Sequence, residues 1–420
     1  MLLIKNATII DTNSKHHRKR RDLLIRNGKI ESIKAKIDTP KTKILDASGG
    51  FVSIGWLDVG VQGSDPGFEH REDLETVSNA AAAGGYTGIA CFPNTSPTIH
   101  SKSEVLYLKN NSTNNLVDLY PIGAISHNCE GKDLTEMYDM HTSGAVAFSD
   151  GRYSIQNSGM MMRALQYVKA FDGTVMNHPH DEGISDKGQM HEGRLSTSLG
   201  MKGIPRLSEE IQLQRDIYLV EYVDSKLHAS NISSAVSENL VRAAKKKGLN
   251  ITASVPLLNL IFTDEVLTNF NSQFKVFPPL REKSDLQELR KGLKDGTIDI
   301  ITSNHRPIEE EGKNLEFSYA SFGSLGLQTT YPLYNTYLTD LIDEEKFVDK
   351  VAVKPRQLFN LPTAKIAEGE VANLTIFHPA IEWTFTEKDI LSKSKNSPII
   401  GSELKGKVLG VVNNGKVKLF

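Results

Sequence analysis

The sequence predicts an α/β fold: a (β/α)8 TIM-like barrel with a small β-sandwich built from both chain ends. Three observations predict it. Eight short apolar strand segments alternate with helical or loop segments between about residues 52 and 303. Both ends instead read as runs of short strands separated by turn signals. A chain of 420 residues also exceeds one ordinary core but fits a large barrel plus a satellite. The expected boundaries are 1–51 and 366–420 for the two parts of the sandwich, and 52–365 for the barrel.

In chain order, Leu2 to Ile10, Asp22 to Arg26 and Lys29 to Ile33 are expected strands, the last two joined at Asn27-Gly28. Phe51 to Val59 is an apolar run with few polar breaks, as in a strand buried on both faces. Glu72 to Ala83 places Leu74, Val77, Ala80 and Ala81 at helical spacing, and Gly84-Gly85 ends that helix. Further strands are expected at 86–92, 117–125, 145–148, 174–178, 226–232, 250–255 and 298–303. Helices are expected at 133–141, 159–170, 208–223, 233–247 and 285–295, with a long loop up to about Pro205. Met160 to Met162 then read as helix core. Strands return at 372–377, 407–413 and 416–420, the last two across Asn414-Gly415.

Composition narrows the function classes. Hydrophobic residues make up 39% and charged residues 24%, near globular averages. A net charge of −2 gives no electrostatic case for nucleic-acid binding. The one dense basic run, Lys15 to Arg21, reads as a solvated turn between strands. No window approaches about 18 uninterrupted apolar residues, so no membrane span is expected. Two cysteines, Cys91 and Cys129, cannot build a disulfide framework, and reduced thiols in a cytoplasmic protein are the expectation. Cys91 reads as a small core residue.

In a barrel, reactive side chains stand at the C-terminal ends of the strands. Those ends carry Gly60-Val61-Gln62-Gly63-Ser64, Phe92-Pro93-Asn94-Thr95, Ser149-Asp150-Gly151, His178-Pro179-His180-Asp181, His228-Ala229-Ser230-Asn231 and Ser303-Asn304-His305-Arg306. Together with Ala80 to Thr87, Leu199-Gly200, Gly203-Ile204-Pro205, Pro278-Pro279-Leu280-Arg281, Phe322-Gly323, Gly326-Leu327 and Ser392-Lys393-Ser394, this framework resembles the dihydroorotases of the amidohydrolase superfamily. Their branch also contains allantoinase and dihydropyrimidinase.

The resemblance implies a hydrolase of pyrimidine biosynthesis that opens dihydroorotate to carbamoyl aspartate on one or two zinc ions. It implies a His-x-His pair after strand one, an acidic or modified residue after strand four, histidines after strands five and six, and a proton-carrying aspartate after strand eight. Imidazole and carboxylate suit zinc, which lowers the pKa of its bound water to about 7.

Of those six positions four are replaced here: Gly60 and Gln62 stand for the pair, Asn231 for the strand-six histidine and Asn304 for the catalytic aspartate. Asp150 and His178 remain as metal positions, which is too few for a usual three-ligand site, so no cofactor is expected. The family's carboxylate-gripping arginine is Ser64 here, while Asn94, a family substrate contact, is kept. Phe277 and the stretch from Val255 to Leu260 make the mouth more apolar than a charged pyrimidine requires.

His178, His180 and Asp181 are expected to hydrogen-bond within the barrel mouth. His305 reads as a packed residue with no carboxylate beside it, and Asp150 as an inherited hydrogen-bond acceptor. A relocated metal site using Asp150, His178, His180 and His228 is the sharper alternative. Inactive relatives accompany aspartate carbamoyltransferase, so the resemblance implies a non-catalytic structural or regulatory partner of that enzyme, and a homodimer. The alternatives are an active dihydroorotase or related cyclic-amide hydrolase with an atypical metal site, and a ligand sensor that uses the old pocket without turnover.

Overall fold

Eight parallel strands form the barrel wall in a computed structural model, which describes residues 1–40, 42–112 and 115–420. In chain order they are Trp56–Val61, Tyr86–Cys91, Asp118–Gly123, Ala147–Phe148, Val175–Asn177, Leu227–Ala229, Ile251–Pro256 and Ile300–Thr302. Each pairs in parallel with the next. The last strand meets the first through the Gln62 N–H, which donates to the His305 carbonyl at 3.0 Å. Asp58 reinforces that seam by accepting from the Ser303 N–H at 3.1 Å and from the Ser303 hydroxyl. Every residue of the first two strands is buried, which is why they read as unbroken apolar runs and not as alternating ones.

The helices outside the wall start where the sequence offers caps. Leu74–Ala83 begins at Asp73, which accepts from the Thr76 N–H at 2.7 Å while Thr76 reciprocates. Asn157 caps Ser158–Lys169 by accepting from the Met160 N–H, and Ser234 caps Ala235–Lys246 by accepting from the Ser237 N–H. Met160 and Met161 are core, as expected, whereas Met162 is only partly buried.

Both chain ends interleave in one eight-stranded sheet. Leu2–Ile10 runs antiparallel to Arg20–Arg26 and parallel to Lys43–Asp46 and Phe51–Ile54. Leu374–Thr384 joins Phe51–Ile54 to Glu403–Asn413, and Lys416–Leu419 closes the edge across Asn414-Gly415. Trp56 welds this sheet to the barrel: its ring lies 5.2 to 6.1 Å from those of Tyr86, Tyr331, Phe347 and Phe377, all buried. Gly85 must stay bare for this, because a Cβ there would lie 2.5 Å from the Trp56 ring.

Several expectations need correction. The run over 51–59 is two strands: Phe51–Ile54 belongs to the terminal sheet and Trp56–Val61 to the barrel. The break falls at Gly55, where a Cβ would meet Thr87 and Asn373 at 2.1 Å. Helix Lys102–Ser112 was not expected, because it buries only Val105, Leu108 and Ser112 and so has a weak apolar stripe. Nor were the helices Thr330–Tyr337, Glu344–Val348 and Lys354–Leu358, whose aromatic and polar mixture hides the period. The basic run is the exposed turn that was expected, and it also carries ion pairs: Arg18 reaches Glu345 at 2.7 Å and His17 reaches it at 3.1 Å. Exposed pairs of this kind contribute little stability, but they tie the terminal sheet to a barrel helix.

Candidate functional site

The C-terminal strand ends converge on a narrow cavity of about 40 Å³, lined by Gly60, Gln62, Phe92, His178, Asn231, Phe277, Asn304 and Arg306 among others. The geometry explains each replaced position. Gly60 sits at φ +82°, and a Cβ there would lie 2.5 Å from the Phe92 ring. That ring fills the place a side chain at 60 would need. Gln62 turns its amide aside and donates to the Asn94 carbonyl at 2.7 Å.

Asn231 and Asn304 both adopt positive φ, a conformation asparagine tolerates better than most residues. They belong to one chain of neutral hydrogen bonds. The Asn231 oxygen accepts from Thr302 at 2.8 Å, its amide nitrogen donates to Asn304 at 3.4 Å, and the Asn304 nitrogen donates to the Phe277 carbonyl at 3.0 Å. A side chain with its oxygen and nitrogen both engaged, and no ionisable group, cannot carry a proton to a leaving group.

Asp150 is committed elsewhere. Its carboxylate accepts from the backbone N–H groups of Ile125 and Ser126 at 2.9 and 2.8 Å and from the Ser126 hydroxyl. Burial pushes its pKa up to about 6, against the pull of those donors. Asn94 is likewise occupied, donating to the Asp150 carbonyl and accepting from the Arg152 N–H, both at 3.0 Å. Ser64 is buried at φ +64° and does not line the cavity.

The histidines separate. His178 directs Nδ1 at the Ser230 carbonyl, 3.0 Å away, and its Nε2 is buried without a hydrogen-bond partner among the described residues. Burial lowers the pKa of His178 and takes that of His180 down to about 3, so both rings are neutral at pH 7. Phe277 packs edge-on against both, with centroids 4.8 and 4.7 Å away. Asp181 caps the short helix Glu182–Ser185. His228 is tied to Thr252 and Ser254 at 2.8 and 3.0 Å. The alternative set of Asp150, His178, His180 and His228 is therefore not assembled. Among the described residues no three His, Cys, Asp or Glu side chains group so as to hold a metal ion, so the residues present do not fit the family's zinc.

One expectation about His305 is wrong. A carboxylate does stand beside it: Glu72 lies 3.5 Å from Nε2, and both side chains are buried. The two are far apart in sequence, and Nδ1 of His305 accepts from the Gly326 N–H at 3.3 Å on the other side of the ring. Sequence reasoning also passed over Phe92 as the plug and Arg306 as a wall of the cavity. Arg306 carried a signal, since it is a charged residue at a barrel strand end.

The pKa of Asp150 gives a pH test. A folded pKa raised above the unfolded 3.8 means that the folded state binds the proton more tightly. Stability from this group is greatest below about pH 4 and falls as pH rises through about 6. The unfolding free energy of the native chain minus that of Asp150→Asn should drop by on the order of 2–3 kcal/mol across that window. A flat difference from urea titrations at pH 4, 5, 6 and 7 would refute the assignment.

Comparison with known proteins agrees with this architecture. The Dihydro-orotase-like family model matches residues 50–237. The dihydroorotase of Syntrophus aciditrophicus is 38% identical over 420 residues, covering 99% of this chain and 98% of that one. The dihydroorotase of Pelotomaculum thermopropionicum is also 38% identical, with the same coverage of both chains. The structure of the L-hydantoinase (dihydropyrimidinase) from Arthrobacter aurescens superposes with a TM-score of 0.87 at 24% identity, covering 100% of this chain and 97% of that one, a likeness of fold. Among the described residues no helix is long and apolar enough to cross a membrane.

Proposed function

The chain belongs to the dihydroorotase family, and from that premise we propose that it is a non-catalytic member, acting in the cytoplasm as a structural or regulatory partner of aspartate carbamoyltransferase. The observation that carries the reading is the neutral amide chain from Thr302 through Asn231 and Asn304 to Phe277, standing where the resemblance requires a metal ligand and a proton carrier. The Phe92 ring against Gly60 and the fully engaged Asp150 support it from the other side of the mouth. Scaffold motifs of the resemblance such as Gly203-Ile204-Pro205 and Pro278-Pro279-Leu280-Arg281 are present while the chemical positions differ. Selection for a scaffold would leave that pattern, whereas unselected decay would erode both classes of residue.

The test is reconstitution. Purified chain mixed with aspartate carbamoyltransferase from the same source should elute as one larger species in size-exclusion chromatography, with the carbamoyltransferase kinetics altered. Independent elution at micromolar concentrations, with unchanged kinetics, would overturn the partner role.

A further inference from the structure

The helix Arg206–Val223 on the outside of the barrel exposes Leu207, Ile211, Tyr218, Glu221 and Tyr222. The two aliphatic and two tyrosine side chains among them are 50%, 46%, 63% and 78% exposed in chain order. Spacings of four, seven and four residues set these four in one stripe along the helix. Other outer helices differ. Ser158–Lys169 turns Arg163, Gln166 and Lys169 to the outside, and Lys283–Asp295 turns Ser284, Gln287 and Lys291. A helix that faces water carries polar residues there, so a continuous apolar stripe marks a face that something covers.

The stripe reads the same from both ends. Leu207 and Tyr222 lie equally far from the point between Gln214 and Arg215, and so do Ile211 and Tyr218. Two copies of the helix laid antiparallel, with a two-fold axis at that point, set Ile211 of each copy against Tyr218 of the other, and Leu207 against Tyr222. Contact between identical surfaces about a two-fold axis requires this self-complementarity.

Polar groups and area fit the same pairing. Near the axis the two Gln214 amides meet, each without an intramolecular hydrogen bond among the described residues and able to donate to and accept from the other. The charge at the centre is already answered, because Arg215 turns onto Asp216 at 2.6 Å and onto the carbonyls of Ile155 and Gln156. Antiparallel packing also places the positive N-terminal end of each helix beside the negative C-terminal end of the other. The four stripe residues offer on the order of 500 Å² per copy. Val236 extends the face; it is exposed on the adjacent helix, whose cap Ser234 donates to Glu210 at 3.2 Å. Together these approach the ~800 Å² per partner of a stable interface.

We propose that this face joins two copies of the chain, helix Arg206–Val223 packing antiparallel on itself about a two-fold axis between residues 214 and 215. The surface lies outside the barrel mouth, so the inference goes beyond the non-catalytic reading and does not depend on it. Barrel helices run opposite to the strands, so the pair points its two mouths in roughly opposite directions.

Sedimentation equilibrium of the full chain tests this. Native protein at about 10 µM should run at twice the chain mass, and I211E and Y218E should each weaken the association by about 100-fold or more, because each lost contact occurs twice. Both substitutions fall on exposed side chains, and thermal unfolding identifies a variant with a folding defect, in which case the other decides. Under oxidation Q214C should become a disulfide-linked pair while S284C stays single, since Cys91 and Cys129 are buried and do not compete. A native monomer at that concentration, a dimer kept by both I211E and Y218E, or linkage through S284C and not Q214C overturns the proposal. A native monomer whose co-elution with aspartate carbamoyltransferase is lost in both variants overturns it in favour of that enzyme as the occupant.

Discussion

Replacing Gly60 by histidine, the first step in rebuilding a family-like metal site, should destabilise the protein by about 2–5 kcal/mol and leave it without bound zinc. Two costs add. A side chain at φ +82° costs about 1–2 kcal/mol, and forcing atoms into a filled space costs about 1–3 kcal/mol. The filled space is the Phe92 ring, 2.5 Å from where the new Cβ would stand. Because that part is a pairwise clash, Gly60→His and Phe92→Ala should couple: the double variant should lose at least about 1 kcal/mol less than the two singles summed. Denaturant titration of the four proteins measures this. Strict additivity would mean that Phe92 is not what closes the position.

The second large effect lies beneath the site. Arg281 is buried, donating to Ser233 at 3.1 Å and to the Ile204 carbonyl at 2.9 Å, with Glu209 at 3.5 Å. Glu209 in turn accepts from the N–H groups of Ser233 and Ser234, the latter the cap of helix Ala235–Lys246. Arg281→Met removes one charge and leaves the other buried, a change that costs about 3–5 kcal/mol. Adding Glu209→Gln removes the stranded charge and keeps an oxygen for the serine N–H groups. The double variant should therefore recover at least about 1 kcal/mol relative to Arg281→Met alone. If the double variant is the less stable of the two, the carboxylate is needed for the helix cap and not for the arginine.

Legibility in the sequence followed physical signal strength. Strands such as Tyr86–Cys91 and Ile251–Pro256 were readable because burial on both faces leaves an apolar run bounded by turn residues. The helix Lys102–Ser112 was not, because a helix that rests on only three buried side chains carries little periodicity. The replaced positions Gly60, Gln62, Asn231 and Asn304 were legible as residue types. What they touch was not: the Phe92 plug, the Asn231–Asn304 bond and the Glu72–His305 pair depend on barrel closure, which juxtaposes residues tens to hundreds of positions apart. Asp150 shows the same limit. Its identity suggested a surviving ligand position, while its partners Ile125 and Ser126, supplied by the neighbouring strand end, make it a structural acceptor.

The most direct test of the account combines two readings on one sample. The protein is incubated with excess zinc, desalted and assayed for metal content and for dihydroorotate ring opening in the same tube. With Asn231 and Asn304 bonded to each other and Asp150 engaged by backbone, zinc should remain well below one equivalent and ring opening should not exceed the buffer blank. Retention of about one zinc per chain together with turnover of dihydroorotate would contradict the central claim.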